Sequence, residues 1–384
     1  GPGGLSRRQE GTRGHLTVEV LPVTTDRDLQ LFLHLPWRIY RGDPHWVPPL
    51  LLEQRQLLTG QHPFFEKAEI RLFLAREGDQ VVGRIAAILD RHFLEFHHDP
   101  VGFFGFFECL GDGGITAGLL AAAQAFLRGK GMRAIRGPVN PSMHNPCGLL
   151  VEGFDSPPAF LMPYNPATYP DLLEAAGCRK VKDLLAYRIE IPAAIPPKVI
   201  RSATGAEQKG IRVRPINLKR LREDVGIFRE LYNAAWQQNW GFTPMTPAEA
   251  EWMAKHLKPL LVPSLALIAE TEGRPVGFLM LLPDYNQALR HLNGRLGLLG
   301  LLKFLWYRRR IRDARLLLLG VTPEYRGKGV DALLYSVAYH DLKRRGFIHA
   351  EISWVLEDNW VVLRLVERWG GVPYKRYRIY ELPL

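Results

Sequence analysis

The 384-residue sequence predicts an α/β protein built from two modules in tandem. Three observations predict it. One order of elements (strand, helices, hairpin, strand, helix, strand) runs from Leu16 to Gly137 and returns between Ile211 and Leu384. The stretch Leu316 to Gly346 joins an apolar run to an amphipathic helix through a glycine-bearing basic turn. The length suits two or three domains, and a hydrophobic content of 47% is ample for packed cores.

Gly1 to Gly4 have the look of a tag remnant, and residues 1–14 are expected to be loose. The first module, residues 15–191, opens with an alternating strand at Leu16 to Val23. A helix from Asp26 to Tyr40 follows, interrupted at Pro36 because proline removes a helix donor. Arg71 to Ala75 and Val81 to Leu89, joined across Glu77-Gly78-Asp79, read as a hairpin. Next come Phe103 to Glu108, a helix from Ile115 to Gly129 and a strand around Arg133 to Gly137. Residues 192–210, with Pro196-Pro197 and a Ser-Ala-Thr-Gly-Ala run, have the composition of a linker.

The second module, residues 211–384, begins with a strand at Ile211 to Ile216, a helix at Leu221 to Trp236 and a hairpin of Leu265 to Ala269 with Pro275 to Leu282. Leu316 to Leu319 is too short for an independent helix and reads as a buried strand ended by Gly320 and Pro323. From Val330, apolar residues at Leu333, Leu334, Val337, Ala338 and Leu342 keep helical spacing, closed by Lys343, Arg344, Arg345 and Gly346. Arg326 to Gly329 therefore sits at a helix N-terminus. Such a terminus carries unpaired N–H groups and the positive end of the dipole, so a glycine-opened turn lets backbone donors close on a phosphate. Glu351 to Leu356 is the next strand, and Trp360 to Gly371 the last helix.

Arg326-x-x-Gly329 at a strand-to-helix junction resembles the acyl-CoA pyrophosphate turn, Q/R-x-x-G-x-G/A, of the GNAT (GCN5-related N-acetyltransferase) superfamily. Asn359, Val362, Val366 and Gly370 are similar to its second hallmark, N-x-x-A-x-x-x-Y-x-x-x-G. The resemblance implies two tandem GNAT-like modules, each a mixed, mostly antiparallel central sheet flanked by helices. It also implies a donor, acyl-CoA or an acyl-phosphopantetheine carrier, held by Gly320, Val321, Tyr325, Arg326, Gly327, Lys328, Gly329, Val330 and Asp331. Two positions depart from the pattern. Val366 stands where the family carries a tyrosine that protonates the departing thiolate, with Tyr374, Tyr377 and Tyr380 as possible substitutes. A thiol with a pKa of about 8.5 leaves tolerably as an anion. Asp331 replaces a glycine or alanine and would repel a diphosphate unless it turns to solvent. If it does not turn away, an acyl carrier protein with one phosphate suits the turn better. In the first module the corresponding stretch, Cys109 to Ile115, has glycines but an acid and no base, and is expected not to hold CoA.

The implied chemistry is attack of an amine on an acyl thioester, with a backbone N–H near Val321 as oxyanion donor. Glu351, Glu357 or Asp284 would take the amine proton, Glu357 being preferred because it ends a strand beside Asn359. The loop after the first helix of a GNAT module roofs the acceptor site, which makes Trp236, Asn239, Trp240 and Phe242 acceptor candidates. Proline-locked turns present Asn140, His144, Tyr164 and Asn165 as further pocket groups, or as braces of a long loop. A His144/Cys147 nucleophile would need a spatial pairing that the sequence does not disclose.

The net charge of +11 predicts an anionic partner. Three cysteines without paired spacing indicate neither a disulfide framework nor a metal site, and with no signal or membrane-spanning run the expected setting is cytoplasmic. The insert 286–314 packs leucines, Phe304 and Trp306 among clustered arginines. It could lie in an anionic membrane interface on the inner face, wall an acyl channel, or pack as a buried partner helix. Nucleic acid accounts for the arginines less well. Tandem modules with a degenerate first copy, this insert, and the runs Asn239 to Phe242 and Met162 to Pro166 resemble bacterial GNAT-like acyltransferases that include the ceramide synthases. This implies transfer of a long acyl group to a sphingoid-type lipid amine. The rival readings are a short-chain acetyltransferase acting on a protein or small amine, an aminoacyl-tRNA-dependent transferase, and a non-catalytic binding module.

Overall fold

A computed structural model describes residues 17–384. The tag remnant and loose start expected at residues 1–14 lie outside them. The first half of the chain runs β1 (Val18–Pro22), α1 (Asp26–Ile39), α2 (Leu51–Leu58), β2 (Ala68–Glu77), β3 (Gln80–Asp90), α3 (Arg91–His97), β4 (Val101–Cys109), α4 (Gly113–Arg128), β5 (Ala134–Gly137), β6 (Leu149–Glu152), α5 (Tyr169–Ala175) and β7 (Arg179–Glu190). After α6 (Pro197–Gln208) the second half runs β8 (Arg212–Pro215), α7 (Leu221–Trp236), α8 (Pro247–Leu257), β9 (Ala266–Thr271), β10 (Arg274–Pro283), α9 (Asn286–Leu289), α10 (Leu298–Tyr307), β11 (Asp313–Val321), α11 (Val330–Arg344), β12 (His349–Leu356), α12 (Trp360–Arg368) and β13 (Val372–Pro383).

The strands form one continuous sheet in the order β1-β2-β3-β4-β5-β13-β7-β12-β11-β10-β9-β8, with β6 paired to β13. It is antiparallel except at β4–β5 and β11–β12, as the mixed, mostly antiparallel pattern requires. The middle of this order departs from two self-contained modules at 15–191 and 211–384. The last strand of the chain, β13, pairs with β5 of the first half, while β7 of the first half pairs with β12 of the second. Each half therefore completes the other's sheet, and neither buries its final strand alone.

Two local readings change. The segment 192–210 is not an extended linker, since Pro197 opens α6 at the first helical turn, where a missing N–H costs nothing. Ala203 and Ala206 bury one face of α6 in the core that holds α11. Pro36 does not interrupt α1, whose start is fixed by a Thr25/Asp28 capping box. Proline leaves the carbonyl four residues earlier, at Phe32, without its helical donor. The buried Arg84 Nη1 donates to that oxygen at 2.6 Å.

Candidate active site

The glycine turn follows from β11 and α11. Gly327 and Gly329 have φ of +74° and +84°, the left-handed region that glycine enters without strain. At Gly329 a side chain would also meet the Ser202 carbonyl of α6 at 2.4 Å. No side chain caps α11. Among the described residues, the N–H groups of Gly327, Gly329, Val330, Asp331 and Ala332 find no acceptor in the protein, while that of Lys328 bonds to the Tyr325 carbonyl. A row of bare amides at a helix start is what an anionic head group needs. Arg326 turns inward, donating to the carbonyls of Val321 and Ala235, and so braces the turn against α7 instead of reaching out as a free cation. Lys328 Nζ lies over the Tyr325 ring at 4.5 Å. Asp331 is half-buried and makes no hydrogen bond or ion pair among the described residues.

Behind the turn, the sheet opens. β11 and β12 pair in parallel only from Asp313↔His349 to Leu316↔Ile352, and no ladder joins them beyond. Leu317 is skipped in the register with β10, so it has no counterpart on either side. The result is a wedge whose mouth lies at Gly320-Val321 and whose apex lies at Leu317 and Ser353. The sheet face at the apex is polar and buried. Arg315 donates to Ser353 Oγ at 2.9 Å and to the Phe160 carbonyl at 2.5 Å. Ser353 and Tyr374 both donate to the Glu351 carboxylate. Tyr377 is fully buried within reach of the Glu351 and Arg315 charges, and its hydroxyl has no partner.

Asp284, at the end of β10, accepts from the N–H groups of Phe160 and Asn286 and lines a cavity of about 150 Å³ with Glu351, Tyr374 and Arg188. Burial, and then the charge of Glu351, push the Asp284 carboxyl up to about 7. Lys375, beside this cluster, donates to the carbonyls of Gly153 and Ser156, and burial brings it down to about 8.

The first half has the same frame with its openings closed. β4 and β5 separate after Phe103↔Arg136, but the chain after β5 folds into the gap. Val139 N–H donates to the Phe104 carbonyl at 2.9 Å, and Asn140 Oδ1 accepts from Phe106 N–H at 2.6 Å. A side chain at Gly105 would meet the Val139 carbonyl at 1.6 Å. At the start of α4, the Asp112 carboxylate accepts from Gly114 and Ile115.

Residues 226–370 match the model of the acetyltransferase (GNAT) family. Protein YghO of Escherichia coli (strain K12) is 35% identical over 360 residues, 92% of this chain and 92% of that protein. A bacterial ceramide synthase of Caulobacter vibrioides (strain NA1000 / CB15N) is 35% identical over 375 residues, 96% of this chain and 98% of that protein. The chain belongs to the GNAT superfamily as a tandem acyltransferase. Its fold is shared with a tandem GNAT protein from the clavulanic acid biosynthesis pathway, at a TM-score of 0.57 and 14% identity over 96% of this chain and 98% of that one. A GCN5-related N-acetyltransferase from Sphaerobacter thermophilus gives a TM-score of 0.54 at 16% identity, covering 95% of each chain.

In this tandem GNAT enzyme the expected site residues separate into two groups. The residues of the glycine turn stay together, and Glu351, Asp284 and Tyr377 gather in one buried cluster around Arg315. Glu357, the base preferred from the sequence, does not join them. It accepts from Lys180 Nζ at 2.7 Å and from Asp183 N–H, so its charge is committed to an ion pair at the sheet end. Asn359 caps α12 through Val362 N–H. Val321 is at the mouth, paired with Gly277, and not at the apex, where Leu317 has no register partner. Val366 is buried in the core, and no tyrosine replaces it on α12.

The acceptor candidates divide as well. Asn140 and Asn165 are braces, the latter bonding both backbone groups of Leu150. Tyr164 donates to Asp43 at 2.9 Å, away from the apex cluster. Cys147 is fully buried, where burial pushes its thiol up to about 12 and leaves it a poor nucleophile. His144 bonds the Thr243 carbonyl, beside His97 on Phe242 and His92 on Pro244, so three histidines of the first half hold three successive carbonyls of the α7–α8 loop. Phe242 is buried under this clamp, Trp236 packs on Tyr232, Asn239 N–H closes a turn on the Trp236 carbonyl, and Trp240 lies under Arg136 and Lys182. The sequence reading missed Arg315 and Ser353, and named Tyr374 only as a possible proton donor to the thiolate. Arg315 in an apolar strand was the available signal, since a buried guanidinium requires acceptors.

Proposed function

We propose that the enzyme N-acylates a lipid-type amine from a long-chain acyl thioester, acyl-CoA or acyl carrier protein, bound at the α11 turn. The observation that carries this reading is the wedge between β11 and β12, which has the bare amides at its mouth and, at its apex, Ser353 bonded to the Glu351 carboxylate that lines the buried cavity. Asp284, with its carboxyl near 7, is matched to proton transfer from an amine at neutral pH. The amine nitrogen attacks the thioester carbonyl, its proton passes to Asp284, and the C–S bond breaks to release the thiol. Backbone donors at Leu317 would meet the oxyanion. Tyr377, whose buried hydroxyl has no partner, would return a proton to sulfur. Ser353, which itself accepts from Arg315, donates to the Glu351 carboxylate at the wedge apex.

Two further observations support a lipid acceptor. The relative named a ceramide synthase aligns over nearly the whole chain, with the insert included in that span. The cavity beside Asp284 has room for an amino head group, while the tail of such a lipid must lie outside it. The test is a matrix of acetyl-CoA, palmitoyl-CoA and palmitoyl-acyl carrier protein against sphinganine and small amines, read by mass spectrometry of the amide and by thiol release. The expected product is an N-palmitoyl amide with one thiol per amide. Acetylation of small amines in preference to it would overturn the lipid reading and keep the acyltransferase.

A further inference from the structure

We infer that α10 docks this enzyme on an anionic lipid bilayer. The helix is attached by its root and turned outward along its length. Trp37 Nε1 donates to Asn293 at 2.8 Å and the Leu51 N–H to the Gly294 carbonyl at 3.0 Å, which fix the approach to the helix. Phe304 is its one buried large side chain, packed on Tyr285, and Tyr307 stacks on His291 at 3.7 Å. The other large residues point to solvent: Leu298 is 77% exposed, Leu299 76%, Leu302 57% and Trp306 57%, with Leu301 and Leu305 beside them. A contiguous apolar face of this kind is far more than the scattered exposed leucines of an ordinary surface.

The charges select the partner. Residues 286–312 carry seven cations, from Arg290 to Arg312, and no Asp or Glu. None of the seven makes an ion pair among the described residues. Arg308, Arg309 and Arg310 follow the exposed helix directly, and the Arg310 guanidinium sits 4.8 Å from the Trp306 ring. Exposed leucines with a tryptophan and arginines at the rim are the composition of a segment lying in the headgroup layer. An acidic protein groove would satisfy the arginines but would leave six large apolar side chains to be matched. The bilayer satisfies both. No helix of the described residues is long and apolar enough to cross a membrane, so the attachment is to one leaflet. The insert also reaches the candidate active site, because Asn286, Gln287 and Arg290 line the cavity that holds Asp284 and Glu351. A bilayer held at α10 would thus lie next to the element that borders the acceptor cavity.

Vesicle flotation tests the inference independently of catalysis, using phosphatidylcholine vesicles and vesicles of phosphatidylcholine and phosphatidylglycerol in equal parts. The full chain is expected to float with the anionic vesicles only. Leu298→Ser, Leu299→Ser, Leu302→Ser and Trp306→Ser combined should abolish flotation, and Arg308→Gln, Arg309→Gln and Arg310→Gln combined should weaken it on the order of 100-fold. All seven side chains are exposed, and an unchanged thermal melt confirms that each variant is folded. Because Cys109, Cys147 and Cys178 are buried, Leu301→Cys gives a single accessible thiol for a polarity-sensitive dye, whose emission should rise on anionic vesicles. Absence of flotation, flotation unaffected by the apolar variant, or a dimer in light scattering that the apolar variant dissolves would overturn the inference. The last outcome would assign the face to a second copy of the chain.

Discussion

The starts of α4 and α11 occupy the same place in the two halves and are used in opposite ways. At α4 the Asp112 carboxylate takes two of the first N–H groups, and Val139 and Asn140 close the gap in the sheet behind. At α11 the equivalent donors stay bare, the cap is a glycine, and the gap between β11 and β12 remains open. The same scaffold thus leaves its helix-start amides satisfied in one half and bare in the other, and bare amides at a helix start are groups that an anion can satisfy.

The largest expected contrast is between the buried carboxylates of the two halves. Glu108 on β4, held by Tyr40 and Tyr169 beside Arg84, is a buried carboxylate with tyrosine donors, as Glu351 on β12 is with Tyr374 near Arg315. Glu351→Gln should lower kcat on the order of 100-fold or more. Glu108→Gln should lower the melting temperature and leave kcat within about twofold, since its cluster meets no wedge. Equal activity losses in the two variants would erase the distinction.

Asp284→Asn comes next. The wild-type kcat/KM should rise with pH and level off above about 7, and the variant should be slower on the order of 100-fold and lose that rise. The same group gives a stability signature. Its folded pKa lies above its ordinary value of 3.8, so the native state holds its proton longer than the unfolded chain, and stability falls as pH rises from there through about 7. The melting temperature of Asp284→Asn relative to wild type should therefore improve between pH 5 and pH 8.

Glycine substitutions separate the two helix starts. Gly329→Ala forces a side chain into a left-handed conformation and against Ser202, so donor affinity should drop by roughly tenfold to 100-fold. Gly113→Ala at α4 meets nothing and should leave donor binding unchanged while adding a few tenths of a kcal/mol, at most about 1, to stability. The smallest effect is expected from the two acids. Asp331→Asn removes a like charge beside the bare amides and should tighten donor binding about twofold to fivefold. Asp112→Ala should cost about 1 kcal/mol as a lost cap without creating a second donor site, because the gap behind it is filled. Calorimetric titration with donor measures the binding change, and denaturant unfolding measures the lost cap.

Much of this contrast is legible in the sequence. The bounds of α7, and the presence of the hairpins, β11 and the glycine turn, follow from apolar spacing and breakers, which are local signals. The degeneracy of the first turn is equally local, since Asp112 stands where a base is wanted. The exchange of β7 and β13 is not local, because strand pairing across roughly two hundred residues is decided by the completed sheet. Nor is the apex cluster, whose members come from β10, β11, β12 and β13. Glu357 drew attention by its neighbour Asn359, yet Lys180 on an adjacent strand claims it. The segment 192–210 looked like a linker because Pro, Ser, Thr and Gly dominate it, while Ala203 and Ala206 gain their helix from packing on α11. Propensity is a weak guide where tertiary burial outweighs it.

The most direct measurement is amide hydrogen exchange of the whole chain with and without palmitoyl-CoA, resolved at the starts of both helices. Slowed exchange is expected at Gly327 to Ala332 and not at Gly113 to Thr116. Protection at the start of α4, or none at the start of α11 under conditions where the donor is bound, would contradict the assignment of the donor to the second half.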